Sequence, residues 1–200
     1  MSAGTHAAWL VDLDGTLYVQ APVRLAMAAE LSLLGWPSLR FLRQFRREHE
    51  AVRELGLEGD PFRLQIERTA QALAASPSAV EATVRDWMIE RPTKWLPLFR
   101  RRELLAELAA FRATGGRTAL VSDYPARRKL EALGASGLFD VVVASGEPEG
   151  PTRLKPHPGG MLRAAAALGI EPERCLVIGD RPDADGRAAS AAGMAFRHVR

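Results

Sequence analysis

An apolar run, Ala7-Ala8-Trp9-Leu10-Val11, leads directly into Asp12-Leu13-Asp14-Gly15-Thr16, and this junction constrains the fold more than any other part of the chain. A short apolar run of that kind fills a central parallel strand buried on both faces. Side chains alternate along an extended segment, so Asp12 and Asp14 point to one side and Leu13 to the other. Gly15 permits a sharp turn. Like charges held that close raise each other's pKa unless a cation neutralises them. The pair therefore asks for a metal ion, which a plain solvated Asp-Gly turn would not.

The same junction recurs. Arg117-Thr118-Ala119-Leu120-Val121 is a second apolar strand that delivers Ser122-Asp123, and Cys175-Leu176-Val177-Ile178 is another that delivers Gly179-Asp180, with Asp183 and Asp185 close behind. Val141-Val142-Val143 reads as a strand between them. Helical runs alternate with these strands: Leu104–Leu108 ended by Gly115-Gly116, Ala126–Leu133, Gly160–Leu168 and Ala184–Ala192, before a last segment from Met194 to Val199. The alternation predicts an α/β fold with a doubly wound parallel sheet. Ligands of such sheets bind outside the carboxyl ends of the strands, at the switch in strand order. The strand-borne acids and Ser122 fall at those ends.

After Tyr18 the alternation stops. From about Arg24 to Trp95 the chain reads as helix throughout: Arg24–Gly35 up to a Gly-Trp-Pro breaker, Leu39–Leu55 up to Gly56, Phe62–Ala74, and a helix opened by Ser78 and Glu81 as a capping box that runs to Ile89. A segment of this size is too short to enclose a large core of its own. The expected organisation is a core of residues 1–20 and 96–200 and a small all-helical cap, residues 21–95, inserted after the first strand and acting as a lid.

Composition narrows the class of protein. A charged fraction of 26% and an apolar fraction of 47% belong to a soluble globular protein, and there is no run of eighteen apolar residues to span a membrane. Met1 to His6 lack the basic segment and apolar run of a secretory signal, so a cytoplasmic location is expected. Cys175, the single cysteine, sits inside an apolar strand and is read as packing. Of the 27 Lys and Arg residues only Lys94, Lys129 and Lys155 are lysines, so 27 minus 3 leaves 24 arginines, although the net charge is only +3. The arginines are interleaved with glutamates rather than gathered on one face, and nucleic acid is not an expected partner.

In the order Asp12, Asp14, Ser122, Lys155, Asp180 the chain resembles the haloacid dehalogenase superfamily of aspartyl-nucleophile hydrolases, most of which are phosphatases, and in particular its phosphoglycolate-phosphatase-like members with a helical cap. The resemblance runs from Ala8 to Val199, with the insertion after Tyr18. It implies that Asp12 is the nucleophile, forming an aspartyl-phosphate, and that Asp14 is the general acid and then the base that activates water. Thr16 is expected to orient Asp14. Ser122, Asp123 and Lys155 form the implied substrate-binding set, with Ser122 and the N–H groups after it on the phosphate and Lys155 between the phosphate and Asp12. Magnesium is the implied cofactor, held by Asp12, the backbone carbonyl of Asp14 and Asp180, with Asp183 or Asp185 completing the shell. The family's spacing favours Asp185. Asp123 departs from the pattern, because an asparagine often follows the hydroxyl residue, and its carboxylate is expected to turn away from the phosphate.

The leading expectation is a magnesium-dependent phosphatase whose partner is a small-molecule phosphate ester. A metal-free dehalogenase is the alternative, opposed by Asp14, since breaking a carbon–halogen bond has no use for an acid that protonates an alkoxide. A phosphonatase would want an additional lysine in the cap, and Lys94 stands only at its edge; nothing identifies a phosphomutase. A non-catalytic phospho-ligand or nucleic-acid-binding protein on the same fold leaves the filled catalytic positions without a use. His6, His49, His157 and His198 lack metal-ligand spacing and are read as solvent-facing or packing residues. Arg100-Arg101-Arg102 is read as a solvated hinge.

Overall fold

The computed structural model describes residues 6–200. The stretch inspected for a secretory signal lies outside the described residues, His6 excepted. β1 (Ala8–Val11) is followed by α1 (Gln20–Leu34), α2 (Leu39–Leu55), α3 (Pro61–Leu73) and α4 (Pro77–Arg85), and the chain returns through α5 (Leu96–Phe99) and α6 (Arg102–Ala113) to β2 (Arg117–Ser122). Strand and helix then alternate as α7 (Arg127–Leu133), β3 (Val141–Ala144), α8 (Gly159–Leu168), β4 (Cys175–Gly179), α9 (Arg187–Ala191) and β5 (Ala195–His198). The five strands are all parallel, in the order β3-β2-β1-β4-β5.

Alternation along β1 divides the core into two layers. Trp9 and Val11 face one side, with Leu104, Leu108, Leu130 and Leu133 from α6 and α7. Ala8 and Leu10 face the other, with Met161, Ala164 and Ala165 from α8 and Ala188 and Ala189 from α9. A strand buried on both faces must be apolar at every position, which is why β1 shows no polar alternation. Its first polar residue, Asp12, stands at the carboxyl end of the strand.

The helices between β1 and β2 carry a cluster of their own, in which Leu42, Phe45, Phe62, Ile66, Val80, Val84 and Trp87 are buried together. Asp60 caps α3 by accepting from the N–H of Phe62 at 3.0 Å, with Pro61 at the first helical position. The start of α4 corrects the sequence reading. Ser76, not Ser78, is the cap, and its Oγ accepts from Ala79 N at 3.2 Å. Pro77 explains the choice, because it lacks an N–H and is preset for the first turn. Glu81 pairs with Arg85 one turn on instead of closing a capping box. A wide π-helical turn, Asp86–Glu90, then extends the helix.

The segment leaves and rejoins the core at one place. Val19 N donates to Phe99 O and Arg101 N donates to Leu17 O, both at 2.9 Å, so Tyr18 and Arg100 form an antiparallel bridge. The arginine triplet stands at this return, and Arg101, half-buried rather than solvated, donates to Gly15 O through its guanidinium.

Candidate active site

The carboxyl ends of β1, β2 and β4 lie side by side in the middle of the sheet and deliver Asp12, Ser122 and Asp180 to one cavity of about 320 Å³. Asp12 N still bonds Ile178 O at 2.9 Å, and the chain then turns at Gly15, whose φ of 98° is the left-handed conformation that favours glycine. A Cβ there would fall 2.1 Å from Asp180 Oδ2. The glycine therefore allows both the turn and the close approach of the third acid.

Lys155, 5% exposed, sits at the centre of the acids. Its Nζ is 2.5 Å from Asp12 Oδ1 and 2.7 Å from Asp185 Oδ1. Burial alone would depress the ammonium, but Asp12, Asp185 and Asp123 reverse that and hold it well above the usual lysine range. Burial also pushes the Asp12 carboxyl up to about 8, aided by Asp185 and opposed by Lys155. Thr16 differs from expectation. Its hydroxyl donates to Asp12 Oδ2 at 3.0 Å rather than to Asp14, because the turn at Gly15 brings residue 16 back over residue 12.

Asp12, Asp180 and Asp185 each offer a carboxylate oxygen within 4.8 Å of the others. Asp180 Oδ1 is buried with no hydrogen-bond partner, and burial with Asp185 nearby raises the Asp180 pKa. Three hard oxygen donors, one of them orphaned, fit a magnesium ion. Asp183 lies outside the group. It is exposed and bound to Arg181 at 2.7 Å, a contact that lowers its pKa. The difference comes from a second π-helical turn, Pro182–Gly186, which stands where an ordinary helix was expected and turns Asp185 inward. Asp185 Oδ2 there accepts from Arg181 N at 3.1 Å.

Asp14 lines the same cavity, but its partners could not be read from its motif. Lys129 Nζ lies 2.6 Å from Oδ1 and 2.9 Å from Oδ2, and the Tyr18 hydroxyl donates to Oδ1. The available signal was composition: in a chain of 24 arginines and three lysines, two lysines are buried against site acids.

Ser122 Oγ accepts from Tyr124 N at 3.1 Å, ordering the loop whose N–H groups follow β2. Asp123 is committed elsewhere, as its departure from the family pattern required. Oδ1 accepts from Lys155 N at 3.1 Å and Oδ2 pairs with Arg53 at 3.3 Å, so it fixes the lysine loop rather than a phosphate.

The helical segment completes the cavity through α2. Arg53 donates from Nε to Lys155 O at 2.9 Å and lies 2.7 Å from His49 Nε2. A guanidinium only donates, so Nε2 accepts and the imidazole proton is on Nδ1, which donates to Gln65 Oε1 at 3.0 Å. Burial lowers the His49 pKa and keeps the ring neutral. The ring stacks on Tyr124 at 4.7 Å, and both line the cavity. His49 thus packs, as read from sequence, but does so at the site.

Comparison with known proteins agrees with this geometry. A family model, haloacid dehalogenase-like hydrolase, matches residues 7–193. A glyceraldehyde 3-phosphate phosphatase of Methanopyrus kandleri is 29% identical over 199 residues, covering 96% of this chain and 82% of the relative. A phosphoglycolate phosphatase from Haemophilus somnus, so described by prediction, shares the fold with a TM-score of 0.61 at 21% identity, covering 98% of this chain and 85% of that one. The L-2-haloacid dehalogenase of Xanthobacter autotrophicus gives 0.66 at 17% identity, covering 97% and 77%. No helix is long and apolar enough to cross a membrane among the described residues. The parallel sheet, the acids at its strand ends and a match that covers nearly the whole chain lead to one assignment: this chain belongs to the haloacid dehalogenase-like hydrolases.

Proposed function

We propose that this hydrolase is a magnesium-dependent phosphatase that cleaves a small phosphate monoester, with the phosphoryl group carried in transit on Asp12. The observation that carries the reading is the grouping of Asp12, Asp180 and Asp185 within 4.8 Å around one buried ammonium, Lys155. Three carboxylates against one cation leave a deficit that a divalent ion removes. Displacing halide from carbon needs no such ion. The M. kandleri relative, named for its action on a phosphate ester, supports the same reaction class.

Asp12 attacks phosphorus, forming a carboxyl O–P bond as the bond to the leaving oxygen breaks, and Asp14 gives that oxygen its proton. Asp14 then takes a proton from water as the water attacks the same phosphorus, releasing inorganic phosphate and restoring Asp12. Lys155 holds the Asp12 carboxylate and meets the incoming phosphate, while Ser122 and the N–H groups after it bind phosphate oxygens. Magnesium, when bound by Asp12, Asp180, Asp185 and the Asp14 carbonyl, offsets the charge of the phosphoryl oxygens. Residues 21–95 act as the lid of a core formed by 1–20 and 96–200, with Arg53 and His49 as its reach into the site. A cytoplasmic location belongs to the same proposal.

The test is turnover of a nitrophenyl phosphate with magnesium and with EDTA, for the wild type and Asp12→Asn. Magnesium-dependent release that vanishes in the variant is expected. Equal turnover in EDTA, or halide release from a 2-haloacid in place of phosphate release, overturns the reading.

A further inference from the structure

Lys129 belongs to none of the motifs at the strand ends, yet it is as buried as Lys155, at 5% exposure. It stands on α7, where Arg127 and Arg128 are exposed and only residue 129 turns inward beside Leu130 and Leu133. Its ammonium sits at 2.6 and 2.9 Å from the two oxygens of Asp14. The Tyr18 hydroxyl also donates to Oδ1, and burial together with Asp14 raises its pKa, so it remains a donor. Oδ1 therefore takes two donors and Oδ2 one, among the described residues.

Two features separate this contact from an ordinary ion pair. Asp14 is followed by Gly15, in a left-handed turn with no side chain to confine its neighbour, so the carboxylate depends on its partners for direction. The cation is also a lysine, one of three in a chain with 24 arginines. A guanidinium fork meets both carboxylate oxygens in their own plane with two parallel N–H bonds. A single ammonium grips both oxygens from one point, and Oδ2 takes no second donor among the described residues.

We propose that Lys129 is a positioning residue for the proton-transfer steps: gripping both oxygens of Asp14 while Tyr18 takes Oδ1, it leaves Oδ2 as the oxygen that gives a proton to the leaving group and regains one from water. The proton count closes on Asp14 alone, one delivered to the alkoxide and one recovered from the attacking water, and Lys129 transfers none. The inference rests on the phosphatase reading.

The experiment compares an alkyl phosphate, whose leaving group needs the proton, with a nitrophenyl phosphate, whose leaving group does not, in magnesium-loaded enzyme. Lys129→Met keeps the stem and removes the charge. Its kcat on the alkyl ester is expected to fall about 10²-fold, the usual effect of a small misplacement of a catalytic group, with KM within about threefold. Phosphorylation of Asp12 by the aryl ester, read as the burst of nitrophenol, should change by less than about threefold. In an Asp14→Asn background Lys129→Met should add no further loss. Lys129→Arg retains the charge and should show the same preference for aryl over alkyl ester in milder form, which keeps the test decisive if the Met variant does not fold. Equal losses on both esters, an additive loss in the Asp14→Asn background, or a wild-type alkyl-to-aryl ratio in Lys129→Arg each overturn the role of Lys129. Failure of the wild type on every phosphate ester overturns the phosphatase reading instead.

Discussion

Arg53 and Lys155 are 102 residues apart in the chain and meet across the cavity, Arg53 Nε donating to the Lys155 carbonyl at 2.9 Å. The lysine's own N–H is held by Asp123, and Asp123 is held by Arg53. One guanidinium from α2 thus ties the helical segment to both backbone groups of the residue whose ammonium meets Asp12.

Replacing Arg53 by Met should therefore affect stability and turnover together. It leaves Asp123 without its cation and the Lys155 carbonyl without a donor, and hydrogen bonds to charged groups contribute about 1.5–3 kcal/mol. A loss of about 2 kcal/mol in urea unfolding is expected, with a lower kcat as Lys155 loses its backbone anchor. Unchanged stability would show that water replaces the guanidinium without cost.

Magnesium binding should release protons. Burial pushes Asp12 up to about 8, so near neutral pH the metal-free site retains a proton there that a cation must displace, and burial raises Asp180 in the same direction. Apparent affinity should rise with pH and level off above about 8. Titration calorimetry in buffers of different ionisation enthalpy checks this, and a pH-independent affinity would count against a buried, protonated site.

Gly179→Ala tests the inward turn of Asp185. A Cβ on residue 179 would lie 2.4 Å from Asp185 Oδ2, so the carboxylate must move. Magnesium affinity is expected to fall by about ten- to a hundredfold, the range seen when a ligand loses its support. Unaltered affinity would remove Asp185 from the donor set.

Asp14→Asn should spare magnesium binding, since its proposed metal contact is the backbone carbonyl. Turnover of an alkyl phosphate should fall about 10²–10⁴-fold. With an aryl phosphate, phosphorylated Asp12 should accumulate, visible as a slow mass increase in the intact protein.

The parallel sheet was legible because buried strands leave runs such as Leu120-Val121 and Val177-Ile178, each stopped by a polar residue where the sheet ends. Asp12, Ser122 and Asp180 were legible for the same reason. What escaped depends on contacts between distant segments. Lys129 meets Asp14 across 115 residues, and no local pattern records it. Thr16 was assigned to the wrong carboxylate because spacing cannot show how sharply Gly15 folds the chain back. Between Asp183 and Asp185 the family's spacing favours Asp185, and the physical reason is the π-helical turn, which shifts the facing of each side chain relative to an ordinary helix. The cap of α4 was misplaced by two residues where the proline itself supplied the better signal.

The bridge between Tyr18 and Arg100 sets the mechanical terms on which the core holds its long excursion. The outgoing and returning strands lie one hydrogen bond apart, so to the sheet the whole stretch between them is equivalent to the tip of a hairpin. The entropy of closing a loop grows only with the logarithm of its length, and doubling that stretch would cost the core about 0.6 kcal/mol. The length of the stretch is therefore nearly free of cost to the sheet at this joint, and what binds the stretch to the site is instead the guanidinium of Arg53 on the Lys155 loop.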